Sequence, residues 1–177
     1  MKAKKCKICN TEFSPFNSLQ IVCSIPCAIK HAEGTATKKM RQEIRHAKEA
    51  IKTRQDWLKE VQTVFNRYIR ARDKHEPCIS CGRNHQGQYH AGHYLSVGAR
   101  PELRFDELNC HKQCAPCNNY LSGNIALYRL ALVKKIGQHK VDWLEGSHEP
   151  KKYSIEDLRQ LKQLYKTKLK EIENGKA

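Results

Sequence analysis

Apolar residues recur along 35–74 at Met40, Ile44, Ala47, Ile51, Leu58, Val61, Phe65 and Tyr68, with Arg54 at one seam position. Alternating steps of four and three residues put these positions on one face of an α-helix. No Gly or Pro interrupts the segment, so the pattern predicts one long helix over 35–74. That helix either packs on its own chain or pairs with a second copy as a homodimer. Ala47 and Arg54 weaken a coiled-coil seam, and both alternatives stay open. A second helix is expected over 124–137, closed by Gly137. A third opens at the capping box Ser154-Ile155-Glu156-Asp157 and runs to about Ile172, with Leu158, Leu161, Tyr165, Leu169 and Ile172 on one face. Between 75 and 123, Gly82, Gly87, Gly92, Gly98 and Pro101 exclude a long helix. Short strands and a loop are expected there, then a helix beginning near Cys114. Residues 1–34 are turn-rich. The chain thus divides into 1–34, 35–74, 75–137 and 138–177.

Composition adds a partner class. The 177 residues are 39% hydrophobic and 29% charged, as in globular proteins, and carry a net charge of +15. Such an excess opposes compaction unless a polyanion offsets it, and nucleic acid is the first candidate. Membrane is not expected. The best apolar stretch, Ile125 to Ile136, is broken by Arg129, Lys134 and Lys135. The start, MKAKKCKICN, has no apolar signal region. A reducing cytoplasm is the expected location.

Nine cysteines in that compartment argue for metal rather than disulfides. Cys6-x2-Cys9 with Cys23-x3-Cys27, and Cys78-x2-Cys81 with Cys114-x2-Cys117, each supply four thiolates, the complement of a structural zinc ion. Two Zn²⁺ sites are therefore expected. Cys110 is left over and reads as a small buried side chain. His85, His90, His93 and His111 are surplus to the second zinc. His111 is open to two readings, a phosphate contact or surface. His31, His46, His75, His139 and His148 match no motif and read as solvent-facing.

The order His93, Asn109, C-x2-C, Asn118 resembles that of HNH nucleases, the ββα-metal group, in zinc-stapled form. AGHY (91–94), LRF (103–105), HKQC (111–114), Cys117-Asn118, SGN (122–124), Tyr128-Arg129 and IGQ (136–138) together resemble the phage lambda NinG/Rap recombination protein family. The resemblance implies an α+β fold: a small zinc-stapled ββα-metal (HNH) core with long flanking helices and an N-terminal zinc module. It implies a metal-dependent endonuclease that cleaves branched DNA, Holliday junctions and D-loops, in phage recombination. It places the protein in the cytoplasm of a bacterial host, with phage or host recombination proteins as further partners. It makes His93 catalytic, Asn109 its brace, and Asn118 a ligand of a catalytic Mg²⁺ or Mn²⁺.

The residue chemistry is consistent with those roles. A neutral imidazole can take a proton from water near pH 7, and an amide oxygen suits a hard cation. One departure stands out. Many HNH enzymes carry an acidic ligand just before the catalytic His, where this chain has Gly92, and the NinG pattern has an Asp three residues before it, where this chain has His90. As a ligand, His90 shifts metal preference away from Mg²⁺. Arg67, Arg70, Arg72, Lys74, Arg100, Arg104, Lys112, Arg129, Lys134 and Lys135 flank this region and are expected to contact phosphates. Two other readings remain: a non-catalytic zinc-containing DNA-binding protein, and a sequence-specific HNH endonuclease.

Overall fold

The computed structural model describes residues 2–175, in two compact units that divide between Lys52 and Thr53. In the first, β1 (Lys4–Lys5) and β2 (Glu12–Phe13) pair antiparallel. The turn between them carries Cys6 and Cys9 and is closed by Asn10, whose φ of 60° is one that Asn tolerates better than most residues. Helix α1 (Ile25–Ala50) follows, with Pro26 in its first turn, where the missing N–H leaves no helical bond unmade. None of its residues is buried.

The single helix expected over 35–74 is two. It breaks at 51–53, and α2 (Arg54–Arg72) starts anew. The cause is a reciprocal cap. Thr53 Oγ1 accepts from the Asp56 N–H at 3.2 Å, and Asp56 Oδ2 accepts from the Thr53 N–H at 3.0 Å. The apolar rhythm runs through the break without a change of phase, which hides it. The two halves of the seam also differ. Met40, Ile44 and Ile51 are exposed, whereas Leu58, Val61, Phe65 and Tyr68 are buried.

In the second unit α2 lies beside α5 (Ile155–Glu173), which opens on the expected capping box at Ser154 and Asp157. The two run in the same direction. Lys162 meets Glu60 at 2.6 Å, Tyr165 packs on Phe65 and Tyr68, and Arg67 reaches Glu173 at 2.5 Å. Their facing side chains form one core with Phe105, Cys110 and Tyr153. Against it rests an antiparallel pair, β3 (Tyr89–His93) and β4 (Cys110–Cys114), in the register His90↔Gln113 and His93↔Cys110. After β4 the chain makes one wide helical turn, Pro116–Tyr120, so no regular helix starts near Cys114; α3 (Ile125–Ile136) does so later. Gly137, at φ 90°, ends α3 and leads into α4 (Gln138–Glu145), which the apolar pattern does not announce. Tyr128 and Leu132 of α3 and Val141 and Leu144 of α4 form the second core with Tyr94 and Leu103. The described residues thus mix helices with two small sheets. No described helix is long and apolar enough to cross a membrane.

Candidate metal and catalytic site

The expected cysteine quartets converge. The four Sγ atoms of Cys78, Cys81, Cys114 and Cys117 lie within 4.8 Å of one another, as do those of Cys6, Cys9, Cys23 and Cys27. The Cys81–Cys114, Cys23–Cys27 and Cys9–Cys23 separations are 3.9, 3.8 and 3.5 Å. A tetrahedral zinc with Zn–S of ~2.3 Å needs sulfurs about 3.8 Å apart, whereas a disulfide needs ~2.05 Å. Both quartets fit zinc. Backbone N–H groups prepare the thiolates. The Cys114 N–H points at Cys78 Sγ from 3.3 Å. Burial pushes the Cys78 thiol up, but donation from Cys114, Cys81 and Ser80 prevails and brings it to about 7. Donation from the Cys9 backbone brings Cys6 to about 6. His85 Nε2 stands 3.4 Å from Cys81 Sγ, at the edge of the second quartet.

The second quartet ties the end of β4 to the turn at Cys78, and β4 carries β3 and with it His93. His93 and Asn118 line one open cavity of about 570 Å³, together with Ala91, Ser96, Ser122 and Gly123. His93 Nε2 is 2.9 Å from the Arg104 carbonyl, which can only accept. Nε2 therefore holds the proton and Nδ1 the lone pair. Burial lowers the His93 pKa from its ordinary value, so the ring is neutral at pH 7. Its other neighbour is Phe65, with ring centroids 6.2 Å apart.

Asn109 is fully buried, and its side-chain hydrogen bonds go elsewhere than to the His93 ring. Its Oδ1 accepts from the Leu95 N–H at 2.9 Å, and its Nδ2 donates to the Leu95 and Leu103 carbonyls at 3.0 and 3.3 Å. It pins both ends of the loop whose Arg104 carbonyl orients His93, so the bracing acts at one remove. His90 does not line the cavity. It pairs in register with Gln113, and its Nε2 is buried without a hydrogen-bond partner. Gly92 has a steric reason: a Cβ there would collide with the Gln113 side chain. Gln113 in turn donates to Ser80 Oγ at 2.6 Å and to the Gly123 carbonyl at 2.5 Å.

His111 is buried, so neither reading given to it from the sequence stands. Tyr128, donating to the Gly92 carbonyl at 2.9 Å, lies 3.3 Å from His111 Nδ1, and burial drives the His111 pKa down to about 3. Cys110 is fully buried in the first core, with its thiol pushed up by burial. Of the histidines read as solvent-facing, His46, His75 and His139 are exposed, while His31 and His148 are half-buried.

The basic residues split into two groups. Arg72 forms a two-pronged pair with Asp73 at 2.8 Å and donates to the Glu107 and Cys110 carbonyls. Lys112 is buried, donates to the Lys74 carbonyl and lies over the Tyr89 ring. Arg100 binds Glu102 and the Glu145 and Gly146 carbonyls, and Arg129 grips Glu145 with two bonds. These four hold the fold together. Arg67 and Lys135 are in surface pairs with Glu173 and Glu76. Arg70, Lys74, Arg104 and Lys134 have side chains with no ionic partner among the described residues.

The family model of the bacteriophage lambda NinG protein matches residues 1–175. The chain belongs to the NinG family. Protein ninG of Escherichia phage 933W is 40% identical over 98% of this chain and 96% of its own length. Protein ninG of Escherichia phage lambda is 44% identical over 72% of this chain and 63% of its own, and that of Salmonella phage P22 is 42% identical over the same shares. No solved structure matches the chain. Membership of the NinG family rests on likeness over nearly the whole chain. It leaves the work of His93 and its cavity to be argued from the residues.

Proposed function

We propose that the chain is a DNA endonuclease that cuts branched recombination intermediates, with His93 as its general base. The observation that carries this reading is the pairing of a neutral His93 with Asn118 on one open cavity. The fixed tautomer puts the lone pair on Nδ1. That atom removes a proton from water, the water oxygen attacks the phosphorus, and the bond to the leaving oxygen breaks as that oxygen gains a proton from solvent. Asn109 is a positioning residue, acting through the loop that carries Arg104. The preference for Holliday junctions and D-loops comes from the family resemblance.

The residues do not make a self-sufficient site for a hard ion. Mg²⁺ is usually held through one or two carboxylates with water and phosphate. No carboxylate lines the cavity, which offers the Asn118 amide and the Ser96 and Ser122 hydroxyls. The donors present do not fit a resident Mg²⁺ or Mn²⁺. That shortfall favours a second reading, a non-catalytic zinc-containing DNA-binding protein.

One experiment separates the two readings. A labelled four-way junction and a matched linear duplex are incubated with wild type and His93→Ala, in Mg²⁺ and in Mn²⁺. Junction cutting that falls by about 10²–10⁴-fold in the variant, with binding and zinc content unchanged, is the expected result. Binding without cutting in either metal overturns the nuclease reading. Cutting of the linear duplex as fast as the junction, at one defined sequence, points to a sequence-specific enzyme instead.

A further inference from the structure

Helix α1 has a second stripe, not apolar but basic. Lys30, Lys38, Arg41, Arg45 and Lys48 recur at helical spacing. With 3.6 residues per turn they fall within an arc of about 80°, along roughly 27 Å of helix. All five are exposed. None has an ionic partner among the described residues; the ion pair of this helix is Lys39 with Glu43, off the stripe. Lys38, Arg41, Gln42 and Arg45 line an open groove of about 310 Å³. Cys27, on the same face, ties the start of the helix to the first cysteine quartet. Glu43 lies on the other side, while Glu33 and Glu49 flank the stripe at its two edges.

This arrangement works against the helix that carries it. Like charges three and four residues apart repel, and α1 buries no side chain to compensate. The repulsion is relieved when a polyanion lies along the stripe. We infer that α1 is a nucleic-acid contact helix whose basic stripe follows the sugar–phosphate backbone without reading bases. A duplex offers a phosphate every ~3.4 Å along each strand, so charges spaced at helical steps meet a continuous row of partners. Contacts to the phosphate row position the helix without reading base edges, so sequence preference is not expected. An anionic membrane is the weaker match. The face opposite the stripe mixes exposed Ile25, Ile29 and Met40 with Lys39 and Glu43 and has no aromatic residue, so it offers no continuous apolar surface to an acyl layer. This inference rests on the DNA-binding part of the proposed function and not on cleavage.

The test uses the full, zinc-loaded chain. In one variant Lys38, Arg41, Arg45 and Lys48 become Gln. In the other, Lys38→Arg, Arg41→Lys, Arg45→Lys and Lys48→Arg keep the charge and change the shape. Binding to a random duplex and to a four-way junction is followed by fluorescence anisotropy between 50 and 200 mM salt. Anionic vesicles serve as comparator, and circular dichroism checks helix content. The neutral variant is expected to bind both DNAs about tenfold or more weakly, with a log–log salt slope shallower by about 3 to 4. The charge-keeping variant is expected to bind as wild type does. An unchanged slope in the neutral variant overturns the inference. So does equal loss in both variants, or vesicle binding in place of DNA binding. If wild type binds but cuts nothing while the neutral variant still loses binding, the nuclease reading falls and this one stands.

Discussion

The two cysteine quartets use the same ligands in different surroundings. Around the first, Cys6 and Pro15 are the buried residues of 2–24, and the strands are two residues long. Around the second, Cys78, Cys114 and Cys117 are buried and continuous with a sheet that rests on α2. Where a segment cannot bury enough apolar surface, metal replaces the core. Where a core exists, the same metal fixes the ends of elements that packing already holds. Zinc at the first quartet would then be a condition of folding for its unit, and zinc at the second a tie on the strand pair that presents His93.

The largest effect should come from breaking each quartet in turn. Structural zinc contributes on the order of 10–16 kcal/mol in small zinc peptides. Cys9→Ser should remove one of two zinc equivalents and abolish hydrogen-exchange protection of the β1–β2 turn, while leaving the unfolding midpoint of the second unit unchanged. Cys81→Ser should also remove one zinc, but lower that midpoint and loosen β3–β4. Zinc content and residue-resolved exchange check both. If Cys9→Ser melts both units together, the division at Lys52 and Thr53 is not energetic.

How much was legible follows the same contrast. Cysteine spacing announced both quartets, because two closely spaced cysteine pairs, C-x2-C with C-x3-C or with a second C-x2-C, leave little freedom in how they meet. The α5 cap was legible at Ser154 and Asp157. The break before α2 was not, although Thr53 and Asp56 form the same kind of box, because the seam's four-three rhythm continues across it. Reading the apolar stripe of α1 also masked the basic one beside it. The roles of Arg72, Arg100, Lys112 and Arg129 could not be read either, since tertiary packing brings them the Glu107 and Cys110 carbonyls, the Glu145 carbonyl, the Lys74 carbonyl and the Glu145 carboxylate, all far along the chain. Asn109 reads from the sequence as the brace of His93, whereas its bonds go to Leu95 and Leu103, on a loop that no spacing announces.

Asn109→Ala sharpens the comparison within the second unit. The substitution deletes three hydrogen bonds at a fully buried position and strands the Leu95 and Leu103 groups. A loss of about 3 kcal/mol is expected. Chemical denaturation measures it, and the two zinc equivalents should remain. Gly92→Ala should cost about 1–3 kcal/mol, because the new methyl meets Gln113 on the same sheet. If either variant loses zinc before it loses stability, the second quartet is not a tie but the base of the unit.

The smallest effect is the dependence of stability on pH, which separates the units without any substitution. His111 titrates near 3 in the folded chain because of burial, and near ~6.5 when unfolded. The unfolded state therefore binds the proton first on acidification. Stability from this source is full above about pH 6.5 and declines as pH falls, until His111 itself protonates near 3. Between pH 7 and pH 5 the loss should be about 2 kcal/mol from this residue. His93, shifted in the same direction by burial, adds to it. Denaturation of the second unit should show this slope, and His111→Gln should reduce it. In the first unit, helix loss in α1 over the same range is expected to come from protonation of its cysteine quartet as zinc is released. A second unit whose stability is flat from pH 7 to 5 would mean that His111 is not held neutral beside Tyr128.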